Sequence, residues 1–91
     1  MFDLKDEEKV RERIFRVVAF QVGKESHEIE PKMHLVKDLG IDSLDSIELA
    51  LEIEEEFTDD EFELKIPDKE TEKLHTVGDI VDYVLSHTKK I

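Results

Sequence analysis

The sequence predicts an all-α fold, a small antiparallel four-helix bundle of three longer helices and one short helix. Three long segments repeat apolar residues at helical spacing, the two prolines fall between these segments, and no segment has a convincing strand pattern. At 91 residues the chain is long enough for one compact domain and too short for two, so we treat residues 1–91 as a single domain.

The first helix is predicted from about Leu4 to Val22, with Gly23 as its stop. β-branched residues also suit strands, but their helical spacing and the flanking charged residues favour a helix. Its apolar face consists of Val10, Ile14, Val17, Val18 and Val22. A long loop from Lys24 to Asp42 follows, interrupted by Pro31, and its apolar residues would hold it against the core.

The helix predicted from Ser43 to Phe57 carries two apolar stripes, which is more than one helix of a small bundle needs for packing. The first stripe is Leu49, Ala50, Ile53 and Phe57. The second stripe is Leu44, Ile47 and Leu51, and acidic residues surround it. The stripes form either one wide buried face, or a core face and a separate surface for a partner.

The rest of the chain contains an acidic turn and two further helices. Residues Thr58–Lys65 form the acidic, turn-like segment, and Asp68–Leu74 follows as a short helix whose first residue is a candidate N-cap. The last helix is predicted to begin at Thr76, which has the spacing of a capping box with Asp79. Lys89–Lys90 would suit the negative C-terminal end of this helix.

The composition is strongly acidic: 25 Asp and Glu residues against 13 Lys and Arg give a formal net charge of −12. Phosphates would repel such a chain, which argues against nucleic acid and anionic membranes and favours a basic protein partner. The same repulsion favours a monomer. The sequence has no cysteine, no signal-peptide pattern and no apolar run of transmembrane length. We therefore expect a cytoplasmic protein that must import any thiol it uses.

Ser43 is the most informative polar residue, because it stands between Asp42 and Leu44 at the predicted start of a helix. Its position alone would make it an N-cap serine. A hydrolytic nucleophile is disfavoured, since the flanking residues lack the Gly-x-Ser-x-Gly pattern and the sequence places no histidine beside it. The four histidines lack a spacing such as His-x-x-x-His, and the acidic runs lack the order of a calcium loop. No metal site is predicted.

A family resemblance covers the centre of the chain. Residues 38–57 read Asp-Leu-Gly-Ile-Asp-Ser-Leu-Asp-Ser-Ile-Glu-Leu-Ala-Leu-Glu-Ile-Glu-Glu-Glu-Phe. This segment closely resembles the signature of acyl carrier proteins, above all the discrete bacterial and organellar type of fatty acid synthesis. The likeness continues at Ile66-Pro67-Asp68, Thr76-Val77 and Asp82-Tyr83, and so spans nearly the whole chain.

The resemblance implies a covalent cofactor on Ser43. In this family the serine of Asp-Ser-Leu receives phosphopantetheine from coenzyme A through a phosphopantetheinyl transferase, and Asp42 resembles the residue that helps to engage that transferase. A phosphate there would lie at a helix N-terminus, which favours an anion. The arm would supply the thiol that the chain lacks, and the chain would carry acyl thioesters between enzymes without being an enzyme itself.

The resemblance also explains the second apolar stripe, because the family's acidic helix is read by basic patches on partner enzymes. The residues that match its recognition positions are Leu44, Asp45, Ile47, Glu48, Leu51, Glu54 and Glu55. The implied partners are the enzymes of fatty acid synthesis, namely malonyl transferase, ketoacyl synthase, reductases, dehydratase and acyltransferases. Such contacts would be small and sensitive to salt.

The family also shelters acyl chains between its helices. The candidates for that lining are Leu49, Ile53, Phe57, Ile66 and Leu74, for which ordinary core packing is the simpler explanation. One departure from the family pattern is Thr58–Lys65, which is longer than the usual link and brings in Phe62 and Leu64.

Alternatives remain open at this point. Within the same class, the chain could be a specialised carrier of polyketide, lipid A-type, aminoacyl or D-alanyl groups. Outside that class, it could be a non-acylated acidic adaptor whose Ser43 is only an N-cap, and covalent modification would discriminate between the two. A polyanion that mimics DNA is disfavoured by the specific serine motif.

Overall fold

A computed structural model describes residues 7–60 and 62–90 of the chain and confirms the predicted all-α bundle of three longer helices and one short helix. The helices are α1 Glu7–Val22, α2 Ser43–Phe57, α3 Asp68–Thr71 and α4 Val77–His87. A 3-10 turn, Ser26–Glu28, lies in the connection between α1 and α2. The predicted start of the first helix at Leu4 lies outside the described residues.

Each predicted helix end has a local cause. Gly23 adopts φ of +72°, a conformation that glycine takes without strain, and α1 stops there. At α4 the predicted capping box is present, because Thr76 accepts from the Asp79 amide and Asp79 accepts from the Thr76 amide. The prediction for α3 is wrong in two details: its N-cap is Pro67, with Asp68 already helical, and the helix ends at Thr71 and not at Leu74.

One core joins all the longer helices. Val10, Ile14 and Val18 of α1 pack with Leu49, Ile53 and Phe57 of α2 and with Val77, Ile80 and Val84 of α4. The connections add Ile29, Leu35, Ile41, Leu64 and Ile66. Val17 and Val22, which were predicted on the buried face of α1, are only half-buried at its edge. All four residues of the first stripe of α2 are buried, which confirms this stripe as the core face of the helix.

The middle of the long connection between α1 and α2 is hydrogen-bonded to the segment at the start of α4. The amide of Leu35 donates to the carbonyl of His75 over 2.9 Å, and the amide of Gly78 donates to the carbonyl of Pro31 over 2.8 Å. A side chain at Gly78 would crowd this contact, because its Cβ would lie 3.1 Å from that same carbonyl oxygen. The connection is therefore an ordered wall of the bundle.

The expectation of no strand is wrong in one place. Residues Phe62–Glu63 (β1) pair antiparallel with Lys89–Lys90 (β2), with Phe62 opposite Lys90. The helix α4 ends at His87, so the two lysines belong to β2 and not to the end of that helix. Strands of two residues are too short to show an alternating pattern, and the partners are distant in sequence.

The acidic segment Thr58–Lys65 is anchored to the core. Leu64 is 1% exposed, and its amide donates to Thr58 Oγ1 over 3.2 Å. Phe62 packs half-buried against the core. The hydroxyl of Tyr83 on α4 donates to the carbonyl of Lys65 over 3.0 Å. The two apolar residues of this segment therefore pack against the fold and are not free for a partner.

Candidate functional site

At the N-terminus of α2, Asp42 caps the helix and the neighbouring Ser43 begins it. Asp42 is the N-cap, with extended backbone, and its Oδ1 accepts a hydrogen bond from the Asp45 amide over 2.9 Å. Ser43 is the first helical residue and is exposed. The interpretation of Ser43 as the N-cap is therefore wrong. Among the described residues, no hydrogen bond involves the Ser43 hydroxyl.

The turn before Ser43 explains why the helix begins there. Gly40 has φ of +68°, which favours glycine, and its amide donates to the carbonyl of Val36 over 3.0 Å. The next residue, Ile41, is 1% exposed and fixes the chain in the core. Asp38 accepts from the His34 amide over 2.6 Å and closes the turn. The buried side chain of Ile41 and the turn before it therefore fix the position of Ser43 at the surface.

The helix end next to Ser43 can receive an anion. Within residues 7–60 and 62–90, the amides of Ser43 and Leu44 donate no hydrogen bond. Helix N-termini with open N–H groups bind phosphate, because the amides and the helix dipole both favour negative charge. An exposed hydroxyl and two open amides together fit a phosphodiester on Ser43.

A cleft of about 440 Å³ opens beside Ser43. Its walls come from the long connection, from the first two turns of α2 and from α3 with the residues after it. Leu35, Ser46, Thr71 and Leu74 line this cleft and also a smaller cavity of about 20 Å³ deeper in the core. The cleft therefore leads from the Ser43 hydroxyl towards the apolar interior.

Four of the five residues predicted to line an acyl chain surround that inner cavity, namely Leu49, Ile53, Ile66 and Leu74. Phe57 lies outside its lining. It is completely buried, and the Arg13 guanidinium carbon lies 5.1 Å from its ring centroid. The assignment of these residues to an acyl chain stays a prediction, because at about 20 Å³ the cavity has room for little more than one water molecule.

The second apolar stripe of α2 faces outward. Leu44 is 73% exposed, Leu51 55% and Ile47 43%, so these residues are not part of a wide buried face. Leu44, Ile47 and Leu51 are three of the five large apolar side chains that are exposed among the described residues. Apolar side chains grouped on one exposed face are typical of an interaction surface.

The three consecutive glutamates near the end of α2 have different surroundings. Glu54 Oε2 accepts a hydrogen bond from the Ile66 amide over 2.5 Å. Glu56 pairs with Arg13, whose Nε lies 2.7 Å from Glu56 Oε1. Glu55 is exposed, and no hydrogen bond of its side chain is found among the described residues. Of the three carboxylates, only that of Glu55 is both exposed and without a hydrogen bond among the described residues, so it is accessible to solvent or a partner.

Two further residues of the predicted recognition set differ in exposure. Glu48 is exposed, and Gln21 of α1 donates to its Oε2 over 3.5 Å. Asp45 is half-buried in the first turn of α2, and its amide is held by the Asp42 cap. Of the predicted recognition residues, five are exposed and Asp45 and Glu54 are half-buried; the exposed ones are Leu44, Ile47, Glu48, Leu51 and Glu55.

Two histidines line the cleft beside Ser43, and sequence reasoning missed this arrangement. His34 and His75 have ring centroids 6.1 Å apart. They lie 41 positions apart in the chain and meet only because the long connection pairs with the start of α4. No short-range pattern could have indicated it. The described residues contain no group of side chains with the arrangement of a metal site.

The capping box beside His75 carries the clearest electrostatic shift near the cleft. Burial of Asp79 acts to raise the pKa of its carboxyl group. The amides of Thr76 and His75 oppose this by donating to Asp79 Oδ2, each over 3.0 Å. With help from the Thr76 hydroxyl, they hold the pKa of Asp79 below its ordinary value. The carboxylate is thus kept ionised and keeps its two amide partners.

The comparisons with known proteins agree with this geometry. Residues 12–84 match the family model described as the phosphopantetheine attachment site. The chain is similar to the solved acyl carrier protein from Enterococcus faecalis, with 30% sequence identity and a TM-score of 0.70. That match covers 89% of this chain and 96% of the other. No described helix combines the length and apolar character that a membrane crossing requires.

Proposed function

Because the chain belongs to the family of phosphopantetheine-bearing acyl carrier proteins, we propose that Ser43 is its attachment residue and fatty acid biosynthesis its pathway. The protein is a carrier and not a catalyst. The observation that supports Ser43 most directly is its free, exposed hydroxyl at a helix start whose cap is supplied by Asp42. Modification there breaks no hydrogen bond found among the described residues.

The chain's own residues have simple tasks in this function. The open amides of Ser43 and Leu44 would receive oxygens of the phosphodiester, and Asp42 would keep the helix end in place. The bound group supplies a terminal thiol, which this cysteine-free chain lacks, and holds the acyl group as a thioester. The cleft beside Ser43 offers the arm a path to the inner cavity at Leu49 and Leu74.

The outward face of α2 is proposed to dock partner enzymes. Leu44, Ile47 and Leu51 would enter shallow apolar pockets, while Glu48 and Glu55 would meet basic residues around them. The phosphopantetheinyl transferase would be the first such partner, followed by the enzymes that load and extend the acyl chain. The acidic face supports the fatty acid pathway over peptidyl carriers.

Mass spectrometry tests the attachment. The purified chain is incubated with coenzyme A and a broad-specificity phosphopantetheinyl transferase, alongside Ser43→Ala and Ser46→Ala variants. We expect one phosphopantetheine on the wild type and on Ser46→Ala, and none on Ser43→Ala. Ser46 is the matched control, because its hydroxyl lines the same cleft three residues further along α2.

Two results would count against the proposal. Absence of any mass gain on a folded chain that was not already modified would favour an acidic adaptor. A gain that persists in Ser43→Ala would place the attachment elsewhere. The pathway is tested next, by asking whether the loaded chain accepts a malonyl group from a malonyl transferase and then serves a ketoacyl synthase. Refusal by both would favour a specialised carrier.

A further inference from the structure

The cleft beside Ser43 is poor in positive charge. Its lining includes the carboxylates of Asp42, Asp68 and Glu72, and none of its residues is a lysine or an arginine. A phosphodiester on Ser43 would therefore have no lysine or arginine lining the cleft to pair with. Its stabilisation there must come from other N–H and O–H donors, since an unpaired anion among carboxylates is costly.

His34 is such a donor, and the backbone fixes its protonation pattern. Its Nδ1 accepts hydrogen bonds from the amides of Val36 and Lys37, each over 3.1 Å. A ring nitrogen that accepts two amides carries no proton, so the proton of the neutral ring is on Nε2. The His34 side chain thus caps the turn that precedes Ser43 through Nδ1. Its Nε2–H remains available as a donor.

The ring is also held in place. The His34 backbone is bridged to Thr76, and Leu35 beside it bonds to the carbonyl of His75. The His75 ring lies next to the His34 ring with an interplanar angle of 27°. Because Nδ1 accepts from the backbone turn, Nε2 is the ring nitrogen left over, and His34 lines the cleft.

We propose that His34 is a positioning residue for the phosphopantetheine group, to which its Nε2–H donates a hydrogen bond within the cleft. The proposal rests on the proposed attachment at Ser43. An imidazole N–H donor suits this cleft better than a lysine, whose ammonium would be drawn to the carboxylates of Asp42 and Asp68. The arm would then favour the cleft over solvent from its first atoms onward.

The test uses a substitution that separates the two tasks of His34. In His34→Asn the side-chain oxygen can still accept from the amides of Val36 and Lys37, as asparagine does in turns, so the fold is kept. The shorter side chain removes the ring N–H from the cleft. His27→Asn is the matched control, because His27 is exposed in the 3-10 turn and does not line this cleft.

Ring nitrogens are observed by NMR in the unloaded and loaded chain, together with the phosphorus signal and the arm's amide signals. We expect loading to move the Nε2 signal of His34 and to leave that of His27 in place. In loaded His34→Asn the ratio of docked to undocked arm should fall about fivefold, as for the loss of one hydrogen bond of about 1 kcal/mol. Loaded His27→Asn should match the wild type.

The readouts separate this inference from the proposed function. Mass spectrometry reports attachment, so a failure to load contradicts the function before His34 is considered. A chain that loads fully on Ser43 but leaves the Nε2 signal of His34 unmoved would overturn the inference alone. Phosphorus and arm signals that are the same in loaded His34→Asn and in the loaded wild type would also overturn it.

Discussion

Replacing Glu54 with alanine should destabilise the fold by about 2 kcal/mol, because its carboxylate holds the entry to α3. Glu54 Oε2 accepts the Ile66 amide over 2.5 Å, and the Ile66 side chain is 6% exposed. Hydrogen bonds to charged groups contribute about 1.5–3 kcal/mol, and a buried amide left unpaired adds to the loss. No second acceptor for this amide is found among the described residues.

The assay compares Glu54→Ala with Glu55→Ala by thermal and urea unfolding. The two variants remove the same charge from adjacent positions of one helix, so changes in net charge and helix propensity are matched. In a domain of this size, about 2 kcal/mol corresponds to a fall of roughly 8–16 °C in Tm. Glu55→Ala should stay within about 0.5 kcal/mol of the wild type, because Glu55 is exposed.

In an assay of partner binding, Glu55→Ala should have the larger effect of the two variants. Glu55→Ala should slow loading by the transferase, while Glu54→Ala should slow it less once the measurement is made well below its Tm. Equal unfolding curves for the two variants would refute the structural role of Glu54. The residue would then return to the partner-facing set in which the sequence first placed it.

Three other substitutions test separate parts of the molecule. Leu64→Ala should cost about 2–5 kcal/mol in the free energy of unfolding, because the side chain is completely enclosed; a change below 1 kcal/mol in urea would contradict its anchoring role. Asp79→Asn should destabilise most at neutral pH. The folded-state pKa of Asp79 is depressed, so its stabilisation is present above the ordinary pKa of 3.8 and lost as the pH falls through the folded value. A wild-type advantage that persists undiminished in acid would contradict this assignment. Glu48→Lys should raise the KM for loading with an unchanged circular dichroism spectrum, and unaltered kinetics with several partners would remove Glu48 from the docking surface.

Local periodicity was enough to predict the helices. The range from Ser43 to Phe57 agrees with α2 at both ends, because apolar spacing and the turn at Gly40 are encoded within a few residues. The roles at the helix start were assigned less well. Asp and Ser are both good N-cap residues, and only the backbone angles show that Asp42 is extended while Ser43 is already helical.

Contacts between distant residues could not be predicted from a single sequence. The pairing of Phe62–Glu63 with Lys89–Lys90, the bond of Arg13 to Glu56 and the meeting of His34 with His75 all join segments far apart in the chain. None of them leaves a periodic signal. Each depends on how the helices pack, which the hydrophobic pattern restricts without determining individual partners.

The division of tasks between Asp42 and Ser43 has a thermodynamic consequence. The hydrogen bond that stabilises the start of α2 belongs to Asp42, so a substituent on the neighbouring hydroxyl replaces only water. With the arm attached at Ser43 as proposed, loading breaks no hydrogen bond that folds the unloaded chain, and unloading leaves the start of α2 capped by Asp42. A carrier with this arrangement can be charged and discharged without uncapping the helix that presents its attachment residue.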